Sequence, residues 1–244
     1  MKIIAMIPAR IGSTRLKMKN LALINDKPLI YYAINNAFKS NLFSNIVVNS
    51  DSKIFYDLAI KYGAEFYHRN KSLGTSDTKS DDVVEDFMNA YSDGDIIVWL
   101  NPIAPFQTVK EIRGIITYLL MNNLDSLITV ENKQVHCNYN GKPVNYNPNE
   151  LFAQTQDIKP VQPFSYTIMM WKSISFLKQY KLKGHALFCG KFDVFPVSRL
   201  SSLIIKTEDD LKMADYIMRS FNETHKKYSV KYDSLANKVI GHEN

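Results

Sequence analysis

The sequence predicts a single α/β domain built on a mostly parallel, twisted sheet with helices on both faces. The first observation is that short apolar segments alternate with amphipathic ones through the first 130 residues, because crossover connections of this kind join parallel strands. The second is Ile96–Leu100, which is nearly all apolar, as a strand covered on both faces is. The third is a globular composition, with 45% hydrophobic and 22% charged residues in a chain of 244.

The composition also excludes several classes of protein. No apolar run approaches the roughly 18 residues that span a bilayer, and Pro8 cuts the N-terminal apolar run too early for a signal peptide. Cys137 and Cys189 lack metal-ligand spacing and cannot form a disulfide framework, so we expect a protein of the reducing cytoplasm. The absence of a long apolar run leads us to expect that it does not bind membranes. The net charge of +6 suits an anionic partner, but the charges are dispersed and no nucleic-acid-binding module is recognisable.

The elements of the first half follow from apolar patterns and end signals. A buried strand is predicted over Lys2–Ile7, and a basic loop follows it up to Asn20. Pro28 fits the first turn of a helix, and Ser50-Asp51-Ser52 is typical of the cap of the next one, which Gly63 ends. The other predicted elements of this half are strands at Asn45–Asn49, Glu65–His68, Ile96–Leu100 and Ser126–Val130, and helices at Ser80–Tyr91 and Thr108–Asn122.

The regular alternation ends after Val130. Asn138–Asn149 reads as a surface loop or hairpin, and residues 131–190 are predicted to contain an excursion from a domain spanning 1–222, before a C-terminal tail at 223–244. The apolar residues of this excursion are hard to bury within one domain, so we expect a homodimer. The alternative is that they pack on the core of their own chain. The other predicted elements are strands at Phe164–Trp171, Phe192–Phe195 and Leu203–Ile205, and helices at Ser173–Tyr180 and after Thr207.

The loop after the first strand is the strongest candidate for chemistry, because ligands bind beyond the carboxyl ends of strands in an open parallel sheet. Residues 8–20 contain one glycine, two hydroxyl side chains and four basic side chains. They match neither the dinucleotide fingerprint nor a P-loop. We interpret the loop as a triphosphate clamp in which backbone N–H groups near Gly12 and Ser13 and the charges of Arg10, Arg15 and Lys19 hold phosphate oxygens. The alternative is a solvated basic loop.

At this loop the chain resembles the cytidylyltransferases that activate acidic sugars, the CMP-sialic acid and CMP-Kdo synthetases. The first loop of that family reads approximately I-P-A-R-x-x-S-[KT]-[GR]-x-P-x-K-[NP]-L, and here Lys17 replaces its proline. Matches cover roughly 200 residues in the family order. They include Ile7-Pro8-Ala9-Arg10, Ser13-Thr14-Arg15, Lys19-Asn20-Leu21, Val47-Val48-Asn49-Ser50-Asp51, Tyr62-Gly63-Ala64, Leu100-Asn101-Pro102 and Thr207-Glu208-Asp209-Asp210-Leu211.

The resemblance implies a Rossmann-like, GT-A-like nucleotidyltransferase whose excursion packs against a second subunit. It implies transfer of CMP from CTP to an anionic small-molecule acceptor, an acidic sugar, for surface-glycan synthesis, with Mg²⁺ accompanying CTP. The catalytic residues it implies are Arg10, Arg15 and Lys19. The implied nucleotide-binding residues are Arg10, Ser13, Thr14, Asn20, Ser80 and Asn101, and the implied acceptor-binding residues are Arg69, Asn101, Gln107 and Gln156.

Several segments depart from the family pattern, among them Ala153-Gln154-Thr155-Gln156, where the family usually has R-x-R-Q, and Ser165-Tyr166, where sialate enzymes have Asn-Gly. Where the family has L-Q-P-T-S-P-L-R, this chain replaces two hydroxyl residues by Ile103 and Ala104 and the arginine by Gln107. Where the family carries two metal-binding aspartates, it has Ile204 and Lys206. We expect Lys206 to point its ammonium group toward the phosphates, unless it points to solvent and Asp51 or Asp209 supplies metal ligands. The alternatives are therefore a different acceptor, such as a phosphonate or another acid, and a degenerate homologue that binds nucleotide without turnover.

Overall fold

The computed structural model describes residues 1–13 and 15–223 of the chain. The strands of its main sheet are β1 (Ile3–Ala9), β4 (Asn45–Ser50), β5 (Glu65–His68), β6 (Ile96–Leu100), β7 (Ser126–Glu131), β10 (Phe164–Lys172) and β11 (Phe192–Val197). Two small hairpins are formed by β2 (Leu23–Ile24) with β3 (Lys27–Pro28) and by β8 (Asn138–Tyr139) with β9 (Lys142–Pro143). The helices are α1 (Leu29–Ser40), α2 (Ile54–Lys61), α3 (Ser80–Ala90), α4 (Val109–Met121), α5 (Ser173–Lys183) and α6 (Glu208–Glu223).

The main sheet has seven strands in the order β11-β7-β10-β6-β1-β4-β5. β1 pairs in parallel with β4 and β6, and β11 pairs in parallel with β7, whereas β10 runs antiparallel between β6 and β7. From β1 the chain moves to β4 and β5 on one side and then crosses to β6 on the other. The predicted mostly parallel sheet is therefore confirmed, and its strand order reverses beside β1, where a crevice opens at the carboxyl ends of the strands.

Helices cover both faces of the sheet, as predicted. On one face α1, α2 and α4 bury apolar side chains such as Ile34, Phe55 and Ile115 against the sheet. On the other face α3 and α5 bury Phe87 and Phe176, which pack near Trp171. The N-terminus of α4 carries the predicted capping box, in which the Thr108 hydroxyl accepts from the backbone of Glu111 and the Glu111 carboxylate accepts in return.

The predicted helix cap at Ser50-Asp51-Ser52 is wrong. α2 begins at Ile54, and Lys53 at its N-cap position provides no side-chain hydrogen bond. The Ser50 hydroxyl instead accepts from the backbone N–H of Ser52 at 3.1 Å. The reason is that Asp51 turns toward Arg69, where its carboxylate takes part in an ion pair.

The predicted strand at Leu203–Ile205 is also wrong. Ile205 donates its backbone N–H to the carbonyl of Ile103 at 2.9 Å, but no ladder forms there. The facing segment is folded into turns, in which Ala104 N–H bonds to the Asn101 carbonyl, so it offers no extended edge. The segment is apolar because Leu203 and Ile205 pack in a third cluster with α6 and the β2-β3 hairpin.

The excursion is narrower than predicted. β10 lies inside the sheet and α5 covers it, so Ile168, Met169, Met170 and Trp171 are buried by their own chain. This corrects the expectation that the apolar residues of 131–190 are hard to bury within one domain. Only residues 132–163 leave the sheet, and they carry the β8-β9 hairpin. The tail beyond Glu223 lies outside the described residues. Within the described ranges, none of the helices combines the length and apolarity that a membrane crossing needs.

Candidate functional site

A cavity of about 360 Å³ lies at the carboxyl ends of β1 and β6, at the predicted crevice. The loop after β1, the segment after β5 with the start of α3, and the end of β6 with its following turn form its walls. The lining residues are Pro8, Arg10, Ser13, Arg15, Leu16, Lys19, Asn20, Arg69, Leu73, Thr75, Ser76, Thr78, Ser80, Val83, Trp99, Asn101, Pro102 and Ile103.

The loop after β1 supplies a basic wall. Arg10, Arg15 and Lys19 all line the cavity, and in the described part of the chain no carboxylate lines it. Burial lowers the pKa of Lys19, and repulsion from Arg15, Arg10 and Lys206 lowers it further. The cations therefore lie close enough together to repel one another without a ligand, as a site for a polyanion requires.

A tight turn directs Lys19 and Asn20 inward. Met18 adopts a left-handed conformation with φ of 48°, and its carbonyl accepts the N–H of Leu21 at 2.8 Å to form a single 3-10 turn. Asn20 is 4% exposed, and its side-chain oxygen has no hydrogen-bond partner. A buried acceptor without a partner at a cavity wall is available to a ligand donor. Arg10 donates to the carbonyl of Thr75 at 3.0 Å, which joins the two loops that face each other across the cavity.

Arg69 enters the cavity from the end of β5 although it is a buried arginine, only 4% exposed. Its Nη1 donates to the carbonyl of Asn49 at 3.3 Å, and its Nη2 lies 3.6 Å from Oδ1 of Asp51. Burial lowers the pKa of Arg69, while Asp51 opposes this shift. The structure therefore brings Arg69 together with the basic loop, as expected for a ligand-binding residue.

Two predicted hydroxyl residues, Ser13 and Ser80, also line the cavity. Ser80 is the first residue of α3, and Lys79 stands at the N-cap position without a side-chain hydrogen bond, so Ser80 is not the cap itself. Thr75 and Thr78, which the sequence analysis did not single out, add hydroxyl groups that lie 2.9 Å apart. Thr14 lies outside the described residues.

Asn101 lines the cavity, but both ends of its carboxamide are engaged. Its Nδ2 donates to the carbonyl of Tyr166 at 3.1 Å, and its Oδ1 accepts from the N–H of Ile103 at 3.4 Å. It therefore ties the end of β6 to β10 and stabilises the turn around Pro102.

Gln107 and Gln156 are not brought to this cavity. Gln107 is 5% exposed and packs beside α1, where its carbonyl accepts from Asn36 at 2.6 Å. Gln156 lies on the excursion, where it is exposed and its carbonyl accepts from Gln134 at 2.8 Å. Their acceptor-binding role stays a prediction that this cavity does not support.

Trp99 lines the cavity from β6, although an apolar strand position suggests a core side chain. It is partly buried, and its indole N–H has no hydrogen-bond partner. With Ile103 it adds apolar surface to the lining of the cavity. The near-continuous apolar run of β6 predicts only core positions. Trp99 lies near the end of this strand, where side chains reach the crevice.

The residues at the family's aspartate positions do not fit a protein-bound Mg²⁺. Ile204 has no donor atom, and Lys206 is an exposed cation. Among residues 1–13 and 15–223 there is no group of three or more His, Cys, Asp or Glu side chains placed to hold a metal ion. Asp51 forms an ion pair with Arg69. Asp209 is 95% exposed, and its ion-pair partner is Lys212.

Comparison with known proteins supplies the remaining evidence. A family model described as cytidylyltransferase matches residues 4–171. An N-acylneuraminate cytidylyltransferase of Escherichia coli O18:K1:H7 is 33% identical over 130 residues, which cover 53% of this chain and 31% of that protein. A CMP-N,N'-diacetyllegionaminic acid synthase of Legionella pneumophila is 37% identical over 118 residues, covering 46% of this chain and 51% of that protein.

The fold has a solved counterpart as well. The structure of a CMP:2-keto-3-deoxy-manno-octonic acid synthetase complexed with CTP superposes with a TM-score of 0.67 at 15% identity and covers 91% of this chain and 100% of that one. Identity at this level shows the fold alone. The resemblance that the motifs indicated is confirmed by these matches.

Proposed function

Because the chain belongs to the cytidylyltransferase family, we propose that it transfers CMP from CTP to an acidic sugar of the sialic, nonulosonic or Kdo type. The observation that carries the proposal is the carboxylate-free cavity wall formed by Arg10, Arg15 and Lys19, which suits a triphosphate. We place the reaction in the cytoplasm, where it would supply surface-glycan synthesis.

In the proposed reaction, a hydroxyl oxygen of the acceptor attacks the α-phosphorus of CTP. The bond from that phosphorus to the bridging oxygen breaks, pyrophosphate leaves with the bonding electron pair, and the hydroxyl proton passes to solvent. Such a step depends mainly on positioning and charge neutralisation. Arg10 and Lys19 would hold the phosphates, and Arg15 would stabilise the charge that develops on them. Asn20, Ser13 and Ser80 would contact the nucleoside side of CTP.

We propose that Mg²⁺ enters bound to CTP rather than to carboxylates of the protein. The support is the pair Ile204 and Lys206, neither of which offers a ligand oxygen from its side chain. Lys206 is close enough to Lys19 to lower its pKa, so it adds positive charge on the same side of the cavity. No step of the proposed reaction requires a metal held by the chain.

Thermal unfolding with each of the four nucleoside triphosphates, with and without Mg²⁺, tests nucleotide choice. We expect CTP to stabilise the protein more than ATP or GTP, and the Arg10→Ala variant to lose that stabilisation. Lys17→Ala is the matched control, because Lys17 is an exposed lysine of the same loop that does not line the cavity. Equal stabilisation by ATP and CTP would contradict the assignment.

Pyrophosphate release from CTP then tests the reaction and the acceptor. The acids to compare are sialic, legionaminic and pseudaminic acids, Kdo and a phosphonic acid. Turnover with one of the sugars supports the proposal, whereas turnover with the phosphonic acid alone supports the alternative acceptor. CTP binding without turnover for any acid would indicate a nucleotide-binding homologue without catalysis.

We also propose that the protein is a homodimer joined through residues 132–163. This segment exposes apolar side chains outside the sheet, with Leu151 96%, Tyr139 74% and Phe152 71% exposed. Such a cluster on a projecting segment is typical of an interaction surface. Mass measurement at micromolar concentration is expected to give a dimer for the native chain and a monomer for Leu151→Glu with Phe152→Glu. A monomeric native chain would contradict the proposal.

A further inference from the structure

Asp51 is the carboxylate that pairs with Arg69. Arg69 is 4% exposed, and among the described residues Asp51 is its one ion-pair partner, at 3.6 Å. Nε of Arg69 and Oδ1 of Asp51 both lack a hydrogen-bond partner. A guanidinium group has five N–H donors, and Arg69 makes a single hydrogen bond within the described chain, to Asn49.

This arrangement balances the charge of the guanidinium group but leaves most of its N–H donors without a hydrogen bond. Arg69 feels repulsion from Arg10 in the same cavity, and Asp51 is the largest attractive influence that opposes it. A buried cation cannot rotate into solvent to escape repulsion. A fixed carboxylate beside it therefore determines its position. The remaining N–H groups are then free for a ligand in the cavity.

We infer that Asp51 is a positioning residue, which holds the guanidinium of Arg69 toward the cavity so that Arg69 can bind the nucleotide or the acceptor. The inference rests on the proposed function, since it assumes that the cavity takes such a ligand. It deepens that function by naming a residue that acts through another without touching the ligand itself.

Gly74 contributes to the position of the Asp51 carboxylate. It is buried in the segment between β5 and α3, and a Cβ atom added there would lie 2.8 Å from Cβ of Asp51 and still closer to its carboxylate. Real Cβ atoms do not approach so closely, so any side chain at this position would move Asp51. The absence of a side chain at Gly74 therefore keeps the carboxylate against Arg69.

The experiment is a double-mutant cycle on the full chain. The variants are Asp51→Asn, which keeps the volume and removes the charge, Arg69→Gln, and the pair together. CTP affinity is measured by calorimetry, and KM for the acceptor is measured from pyrophosphate release. We expect Asp51→Asn to weaken the ligand that Arg69→Gln weakens, by about tenfold, and to have less than about a twofold effect once Arg69 is already replaced.

Two further variants separate positioning from general damage to the fold. Gly74→Ala is expected to reproduce the loss caused by Asp51→Asn, because it displaces the same carboxylate. Asp57→Asn, at an exposed acid of α2, is expected to leave both constants unchanged. Thermal unfolding of each variant shows whether it folds. If the Arg69 variants do not fold, Gly74→Ala provides the test.

The outcomes distinguish this inference from the proposed function. If the native chain binds CTP and Asp51→Asn costs the same factor with or without Arg69, or if Asp51→Asn and Gly74→Ala both leave the constants unchanged, the positioning role is refuted while the proposed function stands. If the native chain binds none of the nucleoside triphosphates, the proposed function fails and the inference fails with it.

Discussion

Replacing Lys19 by methionine is expected to make the protein more stable and less able to bind CTP. The pKa of Lys19 is lowered first by burial and then by Arg15, Arg10 and Lys206, so the folded state holds this proton less tightly than the unfolded chain does. A lowered lysine pKa means that the charged form destabilises the fold at neutral pH, and that stability rises as the pH increases from the folded pKa toward 10.5. Methionine keeps the unbranched shape and removes the charge.

The two expected effects have different sizes. Relief of an unfavourable charge typically stabilises by about 1 kcal/mol, which for a chain of this size raises Tm by about 2–4 °C. Loss of a group that stabilises transferring phosphates costs on the order of 3 kcal/mol, or about a hundredfold in rate. Thermal unfolding without ligand measures the first effect, and calorimetry with CTP and pyrophosphate release measure the second.

The matched control is Lys17→Met, which removes an exposed charge from the same loop and should change neither quantity by much. A lower Tm for Lys19→Met together with unchanged CTP affinity would refute the argument that the cations are gathered for a triphosphate. A lower Tm with weaker CTP binding would show instead that the lysine stem is needed for packing.

Three other perturbations have definite expected results. CTP affinity should begin to fall at a lower pH than the titration of an ordinary lysine, because the pKa of Lys19 is lowered, and Lys19→Arg should move this fall to higher pH in calorimetric titrations. Replacing Ile204 and Lys206 together by aspartate should increase the Mg²⁺ dependence of CTP binding in a titration against EDTA; a metal held by carboxylates beside Lys206 in the native protein would contradict this expectation. Thr108→Ala should lower stability by about 1 kcal/mol through loss of the α4 cap, with unchanged KM values, whereas a change in KM would contradict a purely structural role.

Elements whose signals are local were predictable from the sequence. The apolar run of Ile96–Leu100 gave β6 with the same bounds, and the Thr108 capping box gave the start of α4, because neighbours along the chain decide both features. The basic loop was predictable for the same reason, because its four basic residues stand close together in the sequence. Arg10, Arg15 and Lys19 accordingly lie together on one cavity wall.

Features that depend on distant partners were harder to predict. Leu203–Ile205 has the apolarity of a strand, but whether a strand forms depends on the facing segment, which is folded into turns around Asn101. Asp51 has the residue type of a helix cap, yet the buried Arg69 attracts it, and nothing near Asp51 in sequence reveals that partner. Trp99 shows the same limit, because only the sheet order reveals that the end of β6 borders the crevice.

Two of the departures from the family pattern lie close together in space, which bears on what this site has become. Ile103 and Lys206 belong to separate segments of the chain, but the N–H of Ile205 bonds to the carbonyl of Ile103, so the two altered segments are neighbours. The loop after β1 keeps Arg10, Lys19 and the other basic residues of the family motif, although Lys17 replaces its proline. The basic residues that would face the phosphates are therefore retained, whereas two hydroxyl residues of the family pattern are lost at Ile103 and Ala104. This distribution favours a retained nucleotide site whose acceptor side has changed, and it makes the acceptor comparison the decisive measurement.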